Sequence, residues 1–109
     1  MADYSLRLVD IDIELDELLP ELPAIALEGP RAVGKTSTAQ RRAGTVYQLD
    51  DPAQRAIAEA DPHQVLEGVP PVLLDEWQRV PAIWDAVRRA VDQGAQSGRF
   101  LLTGSAGPA

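Results

Sequence analysis

The chain has 109 residues, 45% of them hydrophobic and 25% charged, so it is long enough for one small globular domain and too short for two. It contains no cysteine and one histidine, His63, which excludes disulfides, thiol catalysis and cysteine-based metal sites. A net charge of −7 argues against a nucleic-acid surface, though a single phosphate site needs only local amides and one or two cations.

The opening "MADYSLRLVD" has no basic-then-apolar leader pattern, and no apolar run approaches membrane-spanning length. A soluble, cytoplasmic protein without membrane contact is therefore expected. Leu15–Leu22 ("LDELLPEL") reads as a short helix ending near Pro20, which cannot continue one. Ala24–Glu28 is an apolar run of strand length. It leads into a glycine turn and then a helical segment over Lys35–Ala43, with Gly44 placed as the residue just past the helix end.

Thr45–Leu49 reads as a second strand. The tetrads Asp51-Pro52-Ala53-Gln54 and Asp61-Pro62-His63-Gln64 each carry a capping Asp, a Pro at the first helical position and a Gln at the third. They predict short helices over Pro52–Ala60 and Pro62–Leu66. Pro71–Leu74 is continuously apolar and reads as a strand buried on both faces. Over Pro81–Gln93, Ile83, Trp84, Val87, Ala90 and Val91 share one helical face, and Gly94 is the stop. Phe100–Leu102 is a fourth strand. Strands alternating with helices predict the α/β class, with a parallel sheet flanked by helices.

Gly29-Pro30-Arg31-Ala32-Val33-Gly34-Lys35-Thr36 matches G-x-x-x-x-G-K-[ST] between a predicted strand and a predicted helix. The glycines let the backbone wrap a phosphate closely, and the helix start aims unpaired amides at the same anion. Lys35 is the only lysine beside nine arginines. A compact ammonium enters such a loop where a planar guanidinium fits poorly. Lys35 would meet the β- and γ-phosphates, the Thr36 hydroxyl would ligate Mg²⁺, and Ser37 follows as the last expected nucleotide-binding position. The bland alternative is an unoccupied glycine turn.

"PVLLDEWQ" sets Asp75 and Glu76 at the carboxyl end of a buried strand, the edge where ligands of open parallel sheets collect. Asp75 could hold Mg²⁺, usually through water, and Glu76 could polarise the water attacking the γ-phosphate. Alternatively, the pair only ends a strand at a solvated turn.

"GPRAVGKTS", "YQLDDP", "LLDEWQRVP" and "RFLLTGSA", in this order and spacing, resemble the prokaryotic AAA+-type P-loop ATPases that usually carry a C-terminal domain of uncharacterised function. The likeness runs from about Tyr4 to Ala106. It implies a three-layer P-loop core, ATP rather than GTP, a Walker A loop over 29–36 and a Walker B stretch over 72–76. It also implies a sensor region over 101–105, with the Thr103 hydroxyl first and Ser105 second as its functional group. The family core continues into another helix and a fifth strand beside the phosphate-loop strand, and an arginine finger and helical lid come from such regions or from a neighbouring subunit. The expectation is thus a core cut after its fourth strand, with Ala24–Glu28 as an open edge that invites a homo-oligomer or protein partner.

Other residues are explained without a ligand. Arg41 and Arg42 suit a helix C-terminus on dipole grounds, and Arg88 and Arg89 suit a solvated face. Asp51 is a cap, Asp50 has no evident structural duty, His63 is a first-turn residue, and Trp77 and Trp84 are core or subunit contacts. The guanine-reading Asn-Lys-x-Asp element is absent, since no second lysine exists. The leading expectation is an ATP-binding, Mg²⁺-dependent ATPase core. Against it stand a non-catalytic nucleotide-sensing or partner-binding module, or a remnant lacking finger and lid. A small-molecule kinase is disfavoured by the acidic pair and the lack of a basic lid.

Overall fold

The computed structural model describes residues 17–29 and 35–105. In chain order they form β1 (Ala24–Gly29), α1 (Lys35–Arg42), β2 (Thr45–Gln48), α2 (Pro52–Ala60), α3 (Pro62–Val65) and β3 (Val72–Asp75). A 3₁₀ turn over Trp77–Arg79, α4 (Ala82–Asp92) and β4 (Phe100–Ser105) follow. The four strands make one sheet in the order β1-β4-β3-β2, and every pair is parallel. Among the described residues β1 and β2 are therefore the edges, which is the position expected of Ala24–Glu28.

Side chains alternate across a strand, so each strand feeds two cores. Ala24, Ala26, Val72, Leu74, Phe100 and Leu102 join Ala58, Val65, Ile83 and Val87 on the face covered by α2, α3 and α4. Ile25, Leu27, Leu73 and Leu101 join Ala39 of α1 on the other face, where Leu18, Leu19 and Leu22 also pack. This is the three-layer α/β architecture. The unbroken apolar runs in β1, β3 and β4 follow from it, because both faces of those strands are covered. β2 alternates half-buried and exposed residues instead, as an edge strand with one covered face does.

The helix ends obey local chemistry. The Asp51 carboxylate accepts from the Ala53 N–H at 3.2 Å and the Asp61 carboxylate from the Gln64 N–H at 3.2 Å, as the two tetrads predict. Gln54 does not close a box on Asp51; its Oε1 reaches farther back to the Gln48 N–H at 2.7 Å, and its Nε2 donates to Asp51 Oδ2 at 3.1 Å. This ties α2 to the end of β2. At the end of α4, Gly94 has φ 97°. The Gly94 N–H bonds the Val91 carbonyl and the Ala95 N–H the Ala90 carbonyl, both at 3.0 Å, giving a Schellman end.

Gly44 differs from its expected role. It follows α1, but its φ is not positive, so it is no left-handed cap. Its N–H bonds the Pro71 carbonyl at 2.8 Å, and a Cβ there would lie 2.7 Å from the carbonyl oxygens of Val69 and Pro70. Glycine is needed for this close approach, which no local pattern announces. The helix expected over Leu15–Leu22 is helical at residues 17 and 18 and turns thereafter, with its start outside the described residues.

Candidate functional site

The site grows from the register of β3 and β4. Asp75 pairs with Thr103, and Thr103 pairs in turn with Leu27 of β1. Period-two alternation sends Asp75 and Thr103 to the same face as Leu73 and Leu101, which is the face packed by α1. Both lie at the carboxyl end of the sheet. The Thr103 Oγ1–H donates to Asp75 Oδ1 at 2.7 Å, with Thr103 fully buried and Asp75 only 7% exposed. A buried carboxylate held by a buried hydroxyl on the neighbouring strand has a fixed orientation, because neither group can exchange its partner for bulk water.

Glu76 stands one residue beyond the ladder. Its N–H bonds the Thr103 carbonyl at 2.7 Å, which keeps it stitched to β4. Its backbone is left-handed, at φ 58° and ψ 47°, the sole non-glycine residue with positive φ among those described. Such a conformation costs a residue with a Cβ on the order of 1–2 kcal/mol, and strain of this kind gathers at functional sites. The kink separates the two acidic side chains: Asp75 stays in the ladder row with Thr103, while Glu76 is half-exposed at the rim of the sheet.

The segments that flank the expected loop are described. Gly29 closes β1, and Lys35, Thr36 and Ser37 form the first turn of α1. Pro30, Arg31, Ala32, Val33 and Gly34 lie outside the described residues. The strand–loop–helix context required of the phosphate-loop motif is thus present, with α1 starting beyond the carboxyl end of β1. Ser105, the second sensor candidate, ends β4.

The remaining candidates fall where structural duties put them. Arg41 and Arg42 occupy the last turn of α1. Arg88 pairs with Asp85 at 3.5 Å on an exposed face of α4. His63 is exposed in α3, and Asp50 is exposed in the turn after β2. Trp77 and Trp84 stack with ring centroids 4.5 Å apart and pack against the larger core.

Two residues escaped the sequence reading. Gln78 Nε2 donates to Glu76 Oε1 at 2.7 Å, and Gly104 lies directly beneath the Gln78 amide. "DEWQ" and "LLTGS" contain both residues, but their contact requires the kink at Glu76, and no glycine marks that position.

No group of three or more His, Asp or Glu side chains among the described residues could hold a metal by itself. The described carboxylate of the expected Mg²⁺ ligands is Asp75, buried at the strand end, and Mg²⁺ commonly takes one or two carboxylates plus phosphate oxygens and water. No helix among the described residues is long and apolar enough to cross a membrane.

Comparison with known proteins agrees with the geometry. An AAA domain family model matches residues 21–108. Two proteins described only as uncharacterized, one from Mycobacterium bovis and one from Mycobacterium tuberculosis, are each 34% identical over 105 residues. The matched region covers 91% of this chain, and the chain spans 23% of the length of each of these curated relatives. No solved structure matches the chain. An all-parallel sheet with a strand–loop–helix at its edge, together with a family match over residues 21–108, leads to one assignment: the chain belongs to the AAA domain family and is an AAA-like nucleotide-binding domain.

Proposed function

We propose that the chain is the ATP-binding core of a Mg²⁺-dependent, AAA+-like ATPase that transfers the γ-phosphoryl group to water. The observation that carries this reading is the buried Thr103–Asp75 hydrogen bond of 2.7 Å at the carboxyl edge of two central strands. A buried, oriented carboxylate at that edge has no packing value and suits a charged ligand.

In this reading the Gly29–Thr36 loop and the first turn of α1 bind the triphosphate through backbone amides. Lys35 neutralises the β- and γ-oxygens, and Ser37 lies in the same turn. Thr36 and Asp75 would hold Mg²⁺, which supplies charge neutralisation on the transferring group. Thr103 holds the Asp75 carboxylate in one orientation. Glu76, turned left-handed one residue past the ladder, offers its carboxylate to the attacking water. No covalent intermediate is required, since positioning and charge neutralisation suffice for this chemistry.

Calorimetric titration with Mg-ATP, paired with the fluorescence of Trp77 and Trp84, tests the reading. Trp77 directly follows Glu76, so the emission of the stacked pair is expected to change on binding. Saturable binding that is lost in Lys35→Ala, together with phosphate release that is lost in Glu76→Gln while binding persists, is the expected result. A folded wild-type chain that binds no Mg-ATP would overturn the nucleotide reading. Binding without phosphate release would overturn the hydrolytic step alone.

A further inference from the structure

The chain leaves β3 by an unusual route. Glu76 is held to β4 through its own N–H, turns left-handed, and its carbonyl accepts the Arg79 N–H at 3.0 Å. This tight turn, continued by the 3₁₀ residues Trp77–Arg79, swings Gln78 back toward the strand end. The Gln78 Nε2–H then donates to Glu76 Oε1 at 2.7 Å across two residues.

A second, independent contact confines the same amide. A Cβ built on Gly104 would lie 2.6 Å from Gln78 Oε1 and 3.3 Å from Trp77 Nε1. The Gln78 amide therefore has one end on the Glu76 carboxylate and the other against the backbone of β4. That contact falls at the residue immediately after Thr103. Gly104 lies within β4 and has no positive φ, so its lack of a side chain matters here for space rather than for backbone freedom.

We propose that Gln78 is a positioning residue for the Glu76 carboxylate and that Gly104 is the seat that admits its amide; this rests on the reading of Glu76 as the group that polarises water. A primary amide suits the task. It donates one hydrogen bond to a carboxylate that offers roughly four lone-pair positions, so acceptor capacity remains for a water proton. Being neutral, it orients the carboxylate without cancelling its charge, as Arg or Lys would. Gln78 is exposed as a residue, so the bond adds little to stability and its effect is on orientation. An extra methylene beyond Asn supplies the reach from the second residue of the turn, and a Glu at this position would repel the group it faces.

The test compares Gln78→Ala, Gln78→Asn and Gly104→Ala with wild type for Mg-ATP affinity, turnover and melting temperature. Gln78→Ala is expected to lower kcat by about 10- to 100-fold, the scale of a misplaced general base, with Kd changed less than about twofold. Its melting temperature is expected to stay within about 3 °C of wild type, as for other surface changes. Gly104→Ala pushes the flexible amide off its seat and is expected to lower kcat similarly, and the double variant with Gln78→Ala is expected to show no further loss. Wild-type kcat in Gln78→Ala, or equal losses of affinity and turnover, would overturn the proposal while leaving the ATPase reading intact. Should a wild-type chain bind Mg-ATP without releasing phosphate, the side-chain amide resonances of Gln78 decide the contact. A shift of those resonances in Glu76→Ala sustains it, and unchanged resonances overturn it.

Discussion

Replacing Thr103 by Val isolates the hydroxyl that orients Asp75. Valine keeps the branched shape, so the change opens no cavity, and Thr103 is 0% exposed, so water cannot replace the lost donor. The hydroxyl donates to a carboxylate oxygen at 2.7 Å. Hydrogen bonds to such groups contribute about 1.5–3 kcal/mol, against a total stability of about 5–15 kcal/mol for a domain. A loss of about 2 kcal/mol corresponds to a fall of about 8 °C in Tm at about 4 °C per kcal/mol, the scale for a domain of this size. Thermal and urea unfolding followed by far-UV circular dichroism would read it, with the urea m-value unchanged. Thr103→Ser keeps the hydroxyl and loses one buried methyl, worth about 1 kcal/mol, so the expected order is wild type, then Ser, then Val. A cycle with Asp75→Ala is expected to show a coupling of at least about 1 kcal/mol. The reasoning fails if the Val variant is as stable as the Ser variant, or if the cycle is additive.

Two further changes probe backbone geometry. At Glu76 the usual ranking of Ala over Gly is expected to reverse: φ 58° favours glycine, so Glu76→Gly should be about 1 kcal/mol more stable than Glu76→Ala by urea denaturation. Equal stabilities, or Ala above Gly, would show that the kink carries no strain. Gly44→Ala sets a Cβ 2.7 Å from two carbonyl oxygens that cannot rotate away, so a loss of about 1–3 kcal/mol is expected in the same assay. Wild-type stability there would mean that the approach of residues 69–71 to the end of α1 is not required.

Much of this protein could be read before any coordinates. Apolar runs bounded by turn residues set β1, β3 and β4, and the Asp-Pro tetrads marked the starts of α2 and α3, because capping depends on atoms within a few residues. The parallel sheet followed from strands alternating with helices, and motif spacing set Lys35 at the start of a helix and Asp75 at the end of a strand, while the family likeness pointed to Thr103. Other features arise only when distant segments meet. Asp75 and Thr103 are 28 positions apart, and their bond depends on the register of β3 against β4. The local pattern gives Gly44 a helix-ending role, but the close carbonyl pair of residues 69 and 70 is what requires a glycine there. The left-handed turn at Glu76 leaves no mark in composition, because its cost is met by the ladder and the 3₁₀ turn together. Short-range chemistry is written in neighbouring residues, whereas strain and close approach are decided by whatever the rest of the fold brings alongside.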